Sequence, residues 1–309
     1  MSINSRKSPV SFQCPNCLQK KEPRTVLESR SGARGKTYKK IDGKFSVFFC
    51  NSCYTGFTYP APKSIERYYH NNYWISSNLV GKYKDFIFDI FQKRRVRWVM
   101  KSISEGNVLD VGSGEGKFGE SLPSRYKVTN LESPWAKIKN KKVIKKDFLK
   151  WKTIQKFDAI CFWESLEHTP RPQKYLEKAY KLLNNKGELF IEFPRYNCLE
   201  SKLFANNWFH LDLPRHLAHL TDKGLALLLK RSGFKNIEVK NVLSFEYAPW
   251  GFTASLVNTI NVGATDDIKK SQNLLLFSLL VPVSLLSTAI EIVLFVIKQS
   301  PIGLATARK

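Results

Sequence analysis

The chain has 309 residues, 43% of them hydrophobic, which is long and apolar enough for about two domains with a substantial core. This composition excludes an intrinsically disordered chain. The formal net charge is +24, from 50 Lys and Arg against 26 Asp and Glu. Such an excess predicts a polyanionic neighbour (nucleic acid, an anionic membrane surface or a phosphorylated substrate), with well-solvated surface lysines as the alternative.

Two close cysteine pairs near the amino terminus predict a zinc site. The opening MSINSRKSPVSFQCPNC has no apolar run of signal-peptide length, which predicts a cytosolic body for the protein. In a reducing compartment, paired cysteines bind metal more often than they form disulfides. CPNC supplies Cys14 and Cys17, and CNSC supplies Cys50 and Cys53. Four thiolates satisfy tetrahedral Zn²⁺ and leave no open position, so the predicted site is structural, with four unrelated thiols as the alternative.

Changes in composition divide the chain into three predicted parts. Residues 1–62 form a zinc-ribbon-like module, with a basic, Gly-rich loop between the two cysteine pairs. Residues 63–105 form a helical connector or lid, because the aromatic-rich YPAPKSIERYYHNNYW precedes KYKDFIFDIFQKRRVRWVMKSI, whose apolar residues lie near helical spacing. Residues 106–309 form the main domain, which contains a hydrophobic insertion at 250–298.

The stretch NVLDVGSGEGKFGESL is typical of a strand, a tight glycine turn and a helix, the opening of a Rossmann-type unit. A Walker A loop is excluded because Lys117 is followed by Phe118 and not by Ser or Thr. The dinucleotide fingerprint is excluded because Lys117 stands where Gly or Ala is required. The remaining D-x-G-x-G-x-G pattern resembles motif I of the class I S-adenosylmethionine (SAM)-dependent methyltransferases.

That resemblance implies SAM as cofactor and assigns residues to it. Glu132 ends the next predicted strand, YKVTNLE, twenty residues after Gly112, where a carboxylate can accept hydrogen bonds from two ribose hydroxyls; a solvated strand end is the alternative. The resemblance also implies that Asp147 meets the adenine amino group and that Phe148 packs on the ring. The predicted cofactor-binding residues are Asp110, Gly112, Ser113, Gly114, Gly116, Glu132, Asp147, Phe148 and Trp163.

Strand-like and helix-like segments alternate through the rest of the domain, which predicts an open parallel sheet. The strand FDAICFW is followed by the helix RPQKYLEKAYKLL with a glycine C-cap in NNKG, and then by the strand GELFIEF, which Pro194 ends. NIEVKNVLSFE is the sixth predicted strand, and IGLATARK resembles the antiparallel seventh strand of the methyltransferase fold. The predicted fold is therefore α/β, with a Rossmann-like seven-stranded sheet, a zinc-ribbon module in front and a helical insertion before the last strand.

Two further segments carry a narrower resemblance. FWESLEHTPRPQKYL resembles the post-strand motif of the large bacterial group that includes the ubiquinone-biosynthesis O-methyltransferases. Residues 208–221, WFHLDLPRHLAHLT, resemble a segment of relatives from surface-polysaccharide and lipid-glycan gene clusters, which often carry an amino-terminal C-x-x-C…C-x-x-C module. The resemblance implies methylation, with oxygen as the expected acceptor atom, of a small molecule, a sugar or a lipid-linked glycan.

Methyl transfer requires alignment of acceptor and methyl group and removal of a proton from the acceptor. The candidate catalytic residues are Glu164, Glu167, His168, Arg215 and His216, with His219 close to them. His168 and His216 rank first as bases, against the alternative that each is a structural histidine. Arg215 is expected to hold a phosphate or carboxylate. A divalent metal on Glu164, Glu167 and His168 is a further alternative, because a helix would place Glu164 and His168 on one face.

Two other functions compete with this one. The charge and the zinc module favour an RNA methyltransferase, but WESL stands where base-amine enzymes have [DN]-P-P-[YF], and the Pro-Cys turn of cytosine-C5 enzymes is absent. Ribose O-methylation stays open, although nucleic acid is not the expected partner. A non-catalytic SAM-binding scaffold is the third hypothesis.

The apolar segment LLLFSLLVPVSLLSTAIEIVLFVI, residues 274–297, contains one charge, Glu291, and one polar face of Ser284, Thr288 and Glu291. Pro282 is expected to break the helix. Because predicted strands of one sheet flank the segment, the chain must return to the side it left. This predicts a monotopic helix or hairpin on the inner face of the cell membrane rather than a span, with a buried helical subdomain or dimer interface as the alternative.

Overall fold

The computed structural model describes residues 13–18, 24–30, 44–69, 92–244, 247, 251–260 and 274–309. Two sheets organise these residues. The smaller sheet has the strand order β1–β2–β3–β9 and is antiparallel throughout. Its strands are β1 (Arg24–Arg30), β2 (Lys44–Cys50), β3 (Thr55–Tyr59) and β9 (Ala218–His219).

The larger sheet has seven strands in the order β10–β11–β8–β7–β4–β5–β6. Its strands are β4 (Gly106–Val111), β5 (Tyr126–Glu132), β6 (Ile144–Lys145), β7 (Phe157–Trp163), β8 (Leu183–Pro194), β10 (Lys235–Val242) and β11 (Ile302–Arg308). Strands β4 to β8 pair in parallel, and β11 is antiparallel to both β8 and β10. The predicted Rossmann-like sheet with its antiparallel seventh strand is confirmed.

Helices cover this sheet. They are α1 (92–102), α2 (Lys117–Ser121), α3 (Pro172–Leu182), α4 (Leu199–Phe204), α5 (Asp222–Arg231), α6 (Gly251–Ile260) and α7 (Leu274–Val296). The side chains of β7 and β8 form the centre of the core, and leucines of α3 and α5 pack on them. Helix α5 begins at Thr221, whose hydroxyl caps it by accepting a hydrogen bond from Gly224 N.

Two predictions about helix ends are wrong. Helix α3 does not finish in a glycine cap, because buried Leu183 pairs with Phe157 and the chain enters β8 at once, which leaves Gly187 inside the strand. Pro282 lies within α7 and does not break it. A proline removes one backbone donor from the ladder, which a helix of 23 residues packed on a neighbouring helix tolerates.

Strand β9 connects the smaller sheet to the main domain. It belongs to residues 208–221, yet it pairs with β3 through Gly56↔His219 and Phe57↔Ala218. Gly56 is needed there, because a Cβ would lie 2.8 Å from Val47 Cγ1 and 3.1 Å from His219 Cβ. The amino-terminal strands therefore support the segment from which His216 and His219 project.

The apolar segment folds as α7, and its side chains are described from Pro282 onward. Over the residues that the structure describes, no helix is long and apolar enough to cross a membrane. Helix α7 packs on α6. Both helices lie between β10 and β11, which are paired through Val242↔Ile302, so the excursion leaves the sheet and returns to it at one place.

Candidate active site

The glycine turn lies where β4 and β7 end. Gly112, Gly114 and Gly116 all have positive φ, at 80°, 55° and 81°. Their conformation lies in the left-handed region that glycine adopts without strain. A Cβ on Gly112 would stand 2.4 Å from the Cβ of Ser165, whose hydroxyl donates a 2.6 Å hydrogen bond to Val111 O. Only glycine lets the turn pass so close to the end of β7, which brings the two strand ends to a common ligand edge.

Two carboxyl groups face this turn. Glu132 Oε2 accepts a 2.9 Å hydrogen bond from Gly114 N, and Glu132 Oε1 accepts a 2.7 Å bond from Ser133 N. Burial raises the pKa of Glu132, and burial raises the pKa of Asp110 to about 7. Asp110 Oδ1 is buried without a hydrogen-bond partner among the described residues. A fixed carboxylate beside an unsatisfied one suits a ligand with several hydroxyl and amino donors, which SAM has.

The two aromatic residues predicted to bind the cofactor, Phe148 and Trp163, are buried in the structure. The Phe148 ring is 4% exposed, stacks on Tyr175 at 5.5 Å and meets Phe162 edge-on at 5.9 Å. Trp163 is 6% exposed and packs against Phe118 at 5.2 Å. Both rings belong to the core, because neighbouring aromatic rings cover their faces. Asp147 is half-buried, and its Oδ1 accepts a 3.0 Å hydrogen bond from Lys150 N.

The segment after β7 is a 3-10 turn, Leu166–His168, and not the α-helix on which the divalent-metal alternative relied. Glu164 precedes the turn with φ of 49°, and its carboxylate accepts a hydrogen bond from the Tyr247 hydroxyl. Glu164 and His168 therefore do not share a helix face. The reason is that the chain must reverse sharply as it leaves the sheet.

Backbone carbonyls set the tautomers of the two foremost histidines. His168 Nδ1 lies 3.0 Å from Arg215 O, and His216 Nδ1 lies 2.9 Å from His210 O. A carbonyl oxygen only accepts, so each Nδ1 carries the proton and each Nε2 keeps its lone pair. Burial lowers the pKa of His168 to about 4. The pKa of His216 is lowered well below its ordinary value by burial and then by His168. Both side chains are therefore neutral acceptors at physiological pH.

Glu167, His168 and His216 form a compact cluster in which one potential ligand atom of each lies within 4.8 Å of the others. Neither carboxylate oxygen of Glu167 has a hydrogen-bond partner among the described residues, and the side chain is 2% exposed. Burial, followed by Glu164, raises the pKa of Glu167. The donor set of two imidazoles and a carboxylate fits a divalent metal. It differs from the predicted set, because Glu164 bonds Tyr247 and His216 takes its place.

Arg215 is already engaged within the protein. Its guanidinium donates to Asp212 Oδ1 through Nη2 at 2.7 Å and Nε at 3.0 Å, and both side chains are buried. The same guanidinium lies 5.9 Å from the centre of the Tyr69 ring. The Tyr69 hydroxyl oxygen is 2.9 Å from His168 Nδ1, and its ring lies 4.6 Å from the ring of Trp135. The Tyr69 and Trp135 rings therefore lie on the His168 side of the site.

The smaller sheet holds residues 208–221, here called the histidine segment, in place. The Thr58 hydroxyl donates a 2.5 Å hydrogen bond to His216 O and stands 2.9 Å from His219 Nε2. Thr58 N also donates to Leu217 O at 3.0 Å, and Leu217 N donates to Glu167 O at 2.8 Å. These bonds run without interruption from β3 to the turn that carries Glu167 and His168.

The four predicted cysteine ligands converge. Cys14 Sγ and Cys53 Sγ are 3.6 Å apart, as are Cys17 Sγ and Cys50 Sγ, and all four sulfurs lie within 4.8 Å of one another. Tetrahedral Zn²⁺ with bonds of about 2.3 Å requires sulfurs about 3.8 Å apart, so the arrangement fits the metal. Both C-x-x-C turns also end alike, with a positive-φ residue whose N–H donates to the first cysteine's carbonyl: Leu18 to Cys14 and Tyr54 to Cys50.

Residues 83–239, slightly more than half of the chain, match the family model described as a methyltransferase domain. The chain belongs to this family. It is accordingly a SAM-dependent methyltransferase.

Individual relatives are distant. An uncharacterized protein from Methanocaldococcus jannaschii is 24% identical over 159 residues, which cover 50% of this chain and 77% of that protein. The ubiquinone biosynthesis O-methyltransferase of Glaesserella parasuis is 31% identical over 102 residues, which cover 27% of this chain and 43% of that enzyme. The chain thus spans less than half of that enzyme's length.

Solved structures share the fold at low sequence identity. Phosphoethanolamine N-methyltransferase 2 from Haemonchus contortus has a TM-score of 0.51 at 14% identity, with 93% of this chain and 68% of that one covered. A SAM-dependent methyltransferase from Archaeoglobus fulgidus has a TM-score of 0.46 at 16% identity, with 75% and 100% covered.

Sequence reasoning missed four residues of the site: Tyr69, Trp135, Asp212 and Tyr247. Tyr69 lies in the aromatic-rich segment that the sequence predicts to be a helical connector or lid. Asp212 stands three residues before Arg215, a spacing that would have suggested an ion pair had the segment been expected to turn. Tyr247 and Trp135 carry no signal that a single sequence reveals.

Proposed function

We propose that this enzyme methylates a hydroxyl oxygen of a small-molecule, sugar or lipid-linked glycan acceptor at the cytoplasmic face of the membrane. The observation that carries the proposal is the pair of Nε2 lone pairs on His168 and His216, held neutral beside Glu167. A hydroxyl must lose its proton as it is methylated, and an imidazole nitrogen with a fixed lone pair is suited to accept it.

Each group in the site has a distinct role in this proposal. Asp110, Glu132 and the glycine turn hold SAM, which supplies an electrophilic methyl group. His168 and His216 bind the acceptor hydroxyl and accept its proton through Nε2. Tyr69 and Trp135 enclose the acceptor and exclude water, because their rings pack at 4.6 Å over the His168 side of the site. Arg215, neutralised by Asp212, orients His168 through its carbonyl oxygen.

The proposal includes a structural zinc at the four cysteines and, as an alternative, a divalent metal at the histidines. Cys14, Cys17, Cys50 and Cys53 hold a structural Zn²⁺, which leaves no position for substrate. A divalent metal on Glu167, His168 and His216 would supply a Lewis acid that lowers the pKa of the acceptor hydroxyl. In that case the two Nε2 atoms are ligands, and the same three residues remain essential.

The test is to offer purified enzyme and methyl-labelled SAM to separated acceptor pools: lipid-linked glycans, nucleotide sugars and total RNA. We expect label in a glycan pool, recovered as a methyl ether after hydrolysis. Glu132→Gln should weaken SAM binding at least tenfold, about 1.4 kcal/mol, in calorimetry, while exposed Glu238→Gln leaves it unchanged. Label in RNA alone, or in nitrogen-linked methyl groups, would overturn the proposal.

A further inference from the structure

Helix α7 is oriented with its polar side chains inward and its apolar side chains outward. Ser287 and Glu291 are 1% and 2% exposed. The outward residues include Leu285 at 68%, Leu286 at 62%, Val293 at 58% and Val296 at 70%. An ordinary surface helix shows the opposite arrangement, with polar residues in water and apolar residues on the core.

Glu291 is turned inward by the helices on which α7 packs. It lies with Glu200 of α4, and a Cβ on Gly251 of α6 would be 3.4 Å from Glu291 Oε1. Burial raises the pKa of Glu291, and Glu200 raises it further, so this carboxyl is protonated at neutral pH. The one ionisable side chain of residues 274–297 is therefore absent from the outer face and carries no charge.

Helices α4 and α6 extend this surface. The rings of Phe204 and Phe252 join α4 to α6 at 5.0 Å, and Thr253 Oγ1 lies 3.5 Å from Val283 O of α7. Leu203 of α4 is 63% exposed and Leu256 of α6 is 45% exposed. The apolar face defined by Leu203, Leu256, Leu285, Leu286, Val293 and Val296 thus spans three helices. An exposed patch of this kind marks an interaction site.

The chemistry of the apolar face favours lipid. Its six defining residues are aliphatic, whereas centres of protein interfaces are enriched in Trp, Tyr and Arg. Exposed lysines accompany it, Lys202 on α4 and Lys298 just beyond α7, in a chain of net charge +24. We propose that the apolar face inserts into one leaflet of an anionic phospholipid bilayer, with these lysines at the headgroups.

The topology of the sheet agrees with a shallow insertion. Val242 and Ile302, which bracket the excursion, are register partners in β10 and β11, so both ends stay on the same side of the bilayer. The surface also adjoins the active site: Tyr247 donates to Glu164, and Gly251 N, at the start of α6, donates to Tyr247 O at 2.5 Å. Delivery of a lipid-linked acceptor along this route rests on the proposed function, whereas the docking itself does not.

Vesicle flotation of the full chain tests the docking. We expect binding to phosphatidylcholine vesicles that contain about one-third phosphatidylglycerol, and weaker binding to phosphatidylcholine alone. The double variant L286D/V293D should lose at least tenfold in affinity for the anionic vesicles. Ile154→Asp is the matched control, because Ile154 is fully exposed in the loop before β7, away from the apolar face, and this variant should bind as the parent does.

SAM affinity measured for the parent and both variants provides the check on folding and should be unchanged. Failure of the parent to float, or equal flotation of L286D/V293D and the parent, would overturn the docking proposal. A dimer in light scattering that L286D/V293D dissociates, without vesicle binding, would also overturn it and assign the face to a second copy. Because flotation needs no methyl acceptor, its failure is distinguishable from failure of the proposed reaction.

Discussion

At the scale of single residues, burial within the protein lowers the pKa of the histidines and keeps their imidazoles neutral. The pKa of His168 falls to about 4 and that of His219 to about 3, in both cases mainly because burial disfavours the charged imidazole. His168 donates from Nδ1 to a carbonyl. His219 instead faces Thr58 through Nε2, and because the Thr58 hydroxyl donates to His216 O, its oxygen accepts from His219. His219 is thus a supporting residue with the opposite tautomer.

The lowered pKa of His219 predicts how the free energy of unfolding depends on pH. The folded-state pKa of His219, about 3, lies below the ordinary 6.5, so below pH 6.5 the unfolded chain binds the extra proton. His219 therefore destabilises the fold as pH falls from 6.5 towards 3, by about 1.4 kcal/mol per pH unit. His219→Gln keeps a donor for Thr58 but does not titrate.

The measurement is urea unfolding of the parent and His219→Gln at pH 7.5 and pH 5. The parent should lose about 2 kcal/mol relative to the variant between the two conditions. If the unfolding free energies of the parent and the variant differ by the same amount at both pH values, His219 is not buried as a neutral group.

Residue-level prediction from the sequence worked where the backbone pattern dictates the side chain. The glycine turn and the end of β5 place Gly112, Gly114 and Glu132 together because strand, turn and helix leave no other arrangement. It was less successful for Phe148, because whether a ring faces a ligand or the core depends on neighbours such as Tyr175, which a local pattern does not identify.

At the scale of elements, the cysteine turns support the segment that carries His216 and His219. Thr221 Oγ1 donates to Tyr54 O at 2.6 Å, directly after the second cysteine turn, and Gly224 leaves room for the same carbonyl. Strand β3 then pairs with β9. If the four cysteines hold zinc as proposed, its removal should therefore disturb the histidine segment more than the glycine turn.

Cys17→Ser should abolish stoichiometric zinc, lower the melting temperature and reduce methyl transfer at least tenfold, while SAM affinity stays within about twofold. The reason is that the β3–β9 pairing positions His216, whereas the SAM site is built from β4 and β5. Cys161→Ala, at a buried β7 position outside the cluster, should retain one zinc per chain. Metal content, thermal unfolding and calorimetry supply the readouts. Full turnover without zinc would contradict this role.

Elements were predictable where periodicity is strong and less so where the chain reverses. The strands and α3 follow their apolar patterns. The sequence pattern did not identify the 3-10 turn at Leu166–His168, where tertiary contacts of Glu164 and Leu217 fix the backbone. Helix α7 continues through Pro282 for the same kind of reason, since its packing on α6 outweighs one missing hydrogen bond.

At the scale of the whole molecule, the alternation of strands and helices predicted the parallel part of the sheet. The resemblance to the methyltransferase fold predicted the antiparallel return of the chain as β11. The sequence did not predict the union of the amino-terminal strands with β9, because that pairing joins residues far apart in the chain. This pairing makes residues 218–219, which follow strands β4 to β8 of the main domain in the chain, the last strand of the smaller sheet.

The most direct test is single-turnover methyl transfer by the parent, His168→Ala and His216→Ala, with saturating SAM and the acceptor pool that the parent labels. Each variant should be slower by roughly a hundredfold or more, the scale of a lost general base or metal ligand. SAM affinity should be retained, because the two imidazoles hydrogen-bond to Arg215 O and His210 O, whereas Glu132 binds the glycine turn through Gly114 N. Parental rates in both variants would contradict the assignment of the active site to the Glu167–His168–His216 cluster.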